Sequence, residues 1–282
     1  MSTRELGIVT IENQTESSEH KPVDVYSEED FKKLYDSENI PDVFFEGISV
    51  EEIASDGHTL HDLKRNIQGD WNSLRKIIPR HTDRPIHFLH SRRVGRLAYE
   101  VARRIPNISP EEVKIITLAA LLHDIGKTNP DPDFQAAINS SEKIEPDDKE
   151  KRDMLGEHVG YGGQLLSMRG FADNIAYAAY LHHTPYSKLD KMRQNGDISE
   201  FQLLAISIIE TVDIIDAAIA TDRNFAPVKY PSNIYQEIMV NPNNQFNPAI
   251  HTAVKSFHTD QKDTLLHDIY TFSYQQRQPT AV

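Results

Sequence analysis

The clearest pattern of apolar and polar positions begins near His87. In FLHSRRVGRLAYEVARRI, Val94, Leu97, Val101 and Ile105 fall close to one helical face, and His90 lies on the same stripe one turn before Val94. Ser109-Pro110-Glu111-Glu112 follows. A Ser N-cap, Pro at the first helical position and Glu at the third form a capping box, which predicts a helix through VKIITLAALLHDIGK. Its ITLAALL segment is apolar all round, as in a helix buried on every side, and Gly126 stands where it would end. Further helices are predicted at 154–168, closing at Gly170, and at 172–183. Ser199-Glu200-Phe201-Gln202 caps another, LLAISIIETVDIIDAAIA. Weaker helical patterns cover 231–239, 247–257 and 260–272. The Pro- and Asp-rich stretch 129–153 reads as loop with a short helix, and RQNGD at 193–197 as loop. No convincing strand pairing or internal repeat is visible, so the expected fold class is all-α.

Upstream the pattern weakens. Residues 1–25 are polar and have little to bury, so they read as poorly ordered, with GIVTI a candidate short strand. Short helical patterns run from Ser27 to Arg80, one of them over His61–Ile78. The expected division is an acidic, partly disordered N-terminal extension at 1–83, a helical domain at 84–260, and a C-terminal helix and tail at 261–282. Charge follows this division. Residues 1–60 hold 15 Asp/Glu against 4 Lys/Arg, so most of the formal net charge of −13 resides there. The remainder is nearly balanced, which argues against a broad nucleic-acid-binding surface. A small anionic substrate stays open, because a metal can supply local positive charge. No apolar run approaches 18 residues and the N-terminus lacks a secretory pattern, so no membrane span and a cytoplasmic location are expected.

Cysteine is absent, so any metal must sit on imidazoles and carboxylates. The chain has 13 His. His90 begins one apolar helix, His123 and Asp124 close the buried one, His158 opens a third, and His182-His183 close a fourth. Asp213 lies within the apolar run, flanked by Val212 and Ile214-Ile215, where a carboxylate is costly unless it is paired or binds metal. Asp216 lies one turn on. Taken singly, each of these is more often a satisfied structural residue; the argument rests on the set. Two carboxylates and four or five imidazoles can serve two octahedral ions if one carboxylate bridges, and Asp124 is the candidate bridge. Lys127 either binds a phosphate oxygen or leaving group, or is a solvated cation at a helix C-terminus; its spacing leaves both readings open. His87 is one turn before His90. It and the remaining His residues read as surface or packing residues.

These blocks together resemble the HD superfamily of metal-dependent phosphohydrolases, and within it the HD-GYP phosphodiesterases. The resemblance spans about residues 84–258. It runs through H-S-R-R-V at His90, A-A-L-L-H-D-I-G-K at 119–127, E-H-V-G-Y-G-G-Q-L-L at 157–166, Y-L-H-H at 180–183, V-D-I-I-D-A-A-I-A-T-D-R at 212–223 and Q-F-N-P-A-I at 245–250. It implies an HD-domain helical bundle carrying two divalent metal ions, iron or manganese. His90, His123, Asp124 and Asp213 would bind one ion. Asp124 would bridge to a second held by His158 and by His182 or His183. Asp124 and Lys127 would be the catalytic pair, and Lys127, Arg93 and Arg223 would bind substrate. The expected partner is a small phosphoester, a nucleotide or a cyclic dinucleotide such as cyclic di-GMP, cleaved by metal-activated water; a homodimer is compatible with the pattern.

The chain also departs from the family. Where members carry Glu after the double His and then a G-Y-P loop, this chain reads H-H-T-P-Y-S-K-L-D, with Thr184 in place of Glu. Ile86 stands where trinuclear members have a Glu ligand, which argues for two metals. R-N-F replaces R-P-Y, and Lys229-Tyr230 lie further on. Two alternatives follow: a diiron oxygenase using a similar six-ligand set, or a degenerate module that binds a nucleotide or a protein without catalysis.

Overall fold

Four helix starts are fixed by reciprocal capping, in which the cap hydroxyl accepts from the third backbone N–H and that residue's side chain accepts from the cap N–H. The pairs are Ser27/Asp30, Thr59/Asp62, Ser109/Glu112 and Ser199/Gln202. They open α1 (Glu28–Asp36), α3 (Leu60–Lys76), α5 (Pro110–Leu122) and α10 (Glu200–Ile219). The other helices are α2 (Val50–Ile53), α4 (Ile86–Ala102), α6 (Pro132–Ile138), α7 (Lys149–Met168), α8 (Asp173–Leu181), α9 (Tyr186–Asn195) and α11 (Pro248–Asp260). The computed structural model describes residues 22–80, 84–140, 149–220 and 247–260. Among them there is no strand, only an isolated bridge between Ala54 and Phe171. The fold is all-α, as the periodicity predicts.

The bundle is built round α5, whose residues Ile115 to Leu122 are all buried. It packs on α4 and α8; α7 lies along α8, and α10 crosses α4, α8 and α5. Four of these helices, α4, α5, α7 and α8, therefore bring their His-bearing segments together, and α10 lays its aspartates across them. No described helix is long and apolar enough to cross a membrane.

Some details differ from the sequence reading. The buried helix ends at Leu122, and the H-D-I-G-K stretch is a separate 3-10 turn over Ile125–Thr128. The third helix starts at Lys149, ahead of the expected 154. Residues 186–195, which carry no strong apolar period, form α9, whose one fully buried side chain is Leu189. Gly196 ends it at φ 81°, the left-handed conformation glycine adopts without strain. The acidic stretch 26–77 is more than an appendage: Phe31, Leu34, Phe44, Ile53, Leu63, Ile67 and Trp71 are buried in the same core as α4 and α5. The readings of 1–21, of the helix at 231–239 and of the tail after 260 fall outside the described residues.

Candidate metal centre

Four imidazoles share one orientation. His123 Nδ1 lies 2.7 Å from the Ala120 carbonyl, His158 Nδ1 2.5 Å from that of Leu155, and His182 Nδ1 2.9 Å from that of Ala179. A carbonyl oxygen only accepts, so each of these Nδ1 atoms must carry the proton. His90 does the same from α4, with Nδ1 2.7 Å from Asp216 Oδ2. In its neutral form each ring then keeps a lone pair on Nε2, and those four nitrogens converge on Asp124. Asp124 Oδ2 is 3.3 Å from His90 Nε2 and 3.6 Å from His123 Nε2. Its other oxygen, Oδ1, is 3.3 Å from His158 Nε2 and 3.7 Å from His182 Nε2. Asp213 Oδ1 joins them, 3.0 Å from His90 Nε2.

Among the described residues this arrangement leaves two points unsatisfied. The Nε2 atoms of His158 and His182 face each other at 3.3 Å, and with both protons on Nδ1 neither can donate. His123 Nε2 is buried with no hydrogen-bond partner. Divalent cations remove both problems, because neutral imidazole nitrogens and carboxylate oxygens are their ligands. Two groups have donor atoms that all lie within 4.8 Å of one another: His90, His123 and Asp124, and His158, His182 and His183. The donor set thus fits two cations with the Asp124 carboxylate between them.

The electrostatics keep the ligands in their binding forms. Burial lowers the His123 pKa to about 4, against an opposing pull from Asp124. Burial, then the neighbouring imidazoles, push His182 well below its ordinary value, and burial lowers His183 too. For Asp124 burial favours the neutral acid, but Lys127 and His123 outweigh it and hold the carboxyl well below the usual range. Lys127 Nζ donates to Asp124 Oδ2 from the solvent side of the site.

Residues 88–218 match the family model for the HD domain. Over that stretch, a little under half of the chain, the sequence is similar to HD domains. No curated protein matches it. Among solved structures it is similar to the HD domain of the L. monocytogenes phosphodiesterase PgpH. The complex of that domain with cyclic-di-AMP is 21% identical, with a TM-score of 0.36, covering 69% of this chain and 93% of that one. A second structure of the same domain is 19% identical, with a TM-score of 0.39, covering 76% and 94%. Likeness of that size carries no site residue or substrate across.

Inside the matched stretch the expected site residues meet in one place: His90, His123, Asp124, His158, His182, Asp213 and Lys127, with His183 at the exposed edge, its ring 4.1 Å from that of His182. Arg93 is different. It is 1% exposed and its guanidinium meets Asp216, on the far side of the His90 ring from Asp124. Arg223 lies outside the described residues. Sequence reasoning noticed Asp216 without giving it a task. It also treated Gly126 as a helix end only. A Cβ on Gly126 would lie 1.9 Å from the His158 carbonyl oxygen and 2.6 Å from Gly162 N. Only glycine lets the turn after Asp124 touch the backbone of α7.

Proposed function

We propose that this HD domain hydrolyses the phosphodiester of a nucleotide or cyclic dinucleotide with two divalent cations, iron or manganese. The observation that carries the reading is the convergence of four Nε2 lone pairs on the two oxygens of Asp124. His90, His123, Asp124 and Asp213 would hold one cation, and His158 with His182 or His183 would hold the other, Asp124 serving both. Cations bound there would supply Lewis acidity and a nucleophilic water at neutral pH. The chain's own part is to present unprotonated ligands, to exclude bulk water from the inner face, and to offer a cation to the substrate. Lys127 fills the last role: it is at the solvent side, already beside Asp124, and can turn to a phosphate oxygen once the carboxylate is neutralised. Arg223 is a second candidate phosphate contact.

Thr184-Pro185-Tyr186 leads directly into α9, which packs Leu189 with Leu203 and Ile206 of α10. A packed helix therefore follows the double His, so cyclic di-GMP is one member of the substrate panel and not the assumed substrate. The test is hydrolysis of cyclic di-GMP, cyclic di-AMP, linear dinucleotides and nucleoside 2′,3′-cyclic phosphates by protein reloaded with Mn or Fe after chelation. Turnover of at least one phosphodiester that depends on added metal is expected. Full activity in the chelated protein, or no hydrolysis of any of them, would reject the reading.

A further inference from the structure

Asp216 is fully buried on α10, one turn after Asp213, and Arg93 is fully buried on α4, one turn after His90. The two helices pack on each other, so two rungs form between them. In the first, Asp213 Oδ1 stands 3.0 Å from His90 Nε2. In the second, Arg93 Nε donates to Asp216 Oδ1 at 2.6 Å, and Arg93 Nη2 donates to Oδ2 at 3.1 Å. Asp216 Oδ2 also accepts from His90 Nδ1 at 2.7 Å. A carboxylate gripped at both oxygens by a planar fork cannot rotate, so the direction of its bond to His90 is set. Nδ1 and Nε2 lie on opposite flanks of the imidazole. Asp216 therefore sits behind the ring, while Asp124 and Asp213 sit in front of it.

We propose that Asp216, clamped by Arg93, is a positioning residue that fixes the tautomer and aim of His90. The proposal rests on the reading of His90 as a metal ligand and assigns a task to the carboxylate behind it. The other three histidines donate to carbonyls three residues earlier in their own helices. His90 instead donates across to α10, so its aim is set by the packing of two helices. Outer partners of this kind orient ligating imidazoles and raise their basicity.

The test uses the full chain with ¹⁵N-labelled histidine rings. In the metal-free wild type, His90 should show a proton on Nδ1. In Asp216→Asn, whose amide cannot take two hydrogen bonds from Arg93 and one from His90 as the carboxylate does, that signal should be lost or mixed with the Nε2 tautomer. Mn affinity should fall tenfold or more, the range typical of such partners. Because a lone buried guanidinium can unfold the protein, the pair Arg93→Met/Asp216→Leu removes both charges and should fold while showing the same two defects. An unchanged His90 tautomer and wild-type Mn affinity in either folded variant overturns the proposal. Failure of the wild type to bind any divalent metal would reject the metal reading instead, and the ring signal would still decide whether Asp216 sets the orientation.

Discussion

The two ends of α4 carry opposite solutions to buried polarity. Towards the C-terminal end, Glu100 receives Arg96 at 2.8 Å, Arg103 at 2.8 Å and Arg104 at 2.7 Å, and Arg96 and Arg103 also reach Glu28 and Asp24 of the acidic N-terminal segment. Arg92 donates to the carbonyls of Tyr35 and Ser37. The chain answers its own charges there, and the acidic segment is part of that answer. Towards the N-terminal end, His90 belongs to a set whose lone pairs point at one another and at carboxylates. Among the described residues His123 Nε2 meets no donor, and Lys127 donates to the Asp124 carboxylate. A buried polar cluster that closes on itself holds a fold together; one that closes only when a cation arrives makes a site.

That contrast can be broken most strongly at Asp124. Asp124→Ala should remove bound metal and lower kcat/KM on the phosphodiester by about a thousandfold or more, roughly 4 kcal/mol, with helicity by circular dichroism unchanged. Wild-type metal content in this variant would mean that the histidine end is just another structural network. At the arginine end, Glu100→Gln leaves three guanidinium groups round a neutral amide. Loss of one partner in such a cluster costs about 3 to 5 kcal/mol, so the urea midpoint should fall while metal stoichiometry per folded molecule stays at the wild-type value.

Acid should also separate the two ends. His123 titrates near 6.5 when unfolded and near 4 in the fold, so between those values the unfolded chain binds the extra proton. The metal-free protein should keep its full stability above about pH 6.5 and lose roughly 3 kcal/mol as pH falls towards 4. Stability by denaturant titration that stays flat over that window would contradict the buried neutral imidazole. The smallest effect is expected at a cap. Ser109→Ala removes the hydroxyl that accepts from Glu112 N and should cost about 1 kcal/mol in thermal unfolding, with no change at the candidate metal centre about four turns away along α5.

The helices were legible because their signals are local. Ser109-Pro110-Glu111-Glu112 and Ser199-Glu200-Phe201-Gln202 announce their own starts, and the all-apolar ITLAALL segment announces its burial. The candidate donors were legible for a related reason: each His or Asp stood out against an apolar stretch. What lay beyond the sequence was pairing between distant elements. Arg93 and Asp216 are 123 residues apart, and nothing local marks the guanidinium as turned inwards to a carboxylate on α10. α9 was missed because YSKLDKMRQN buries little, so no period betrays it. The acidic extension was misjudged in the same way, since its charge count hid a set of aromatic and aliphatic residues that complete the core.

The contact of Gly126 with the backbone of α7 has a consequence for how this site can vary. The separation between the Asp124 segment and the His158 segment is set by main chain against main chain, with no side chain as a spacer. Exchanges of one aliphatic residue for another elsewhere in the interior can loosen or tighten the bundle without stretching the gap between the two groups of donor atoms. Variation then falls on residues at the mouth, such as Lys127, His183 and Thr184, over a floor of donors whose span stays the same.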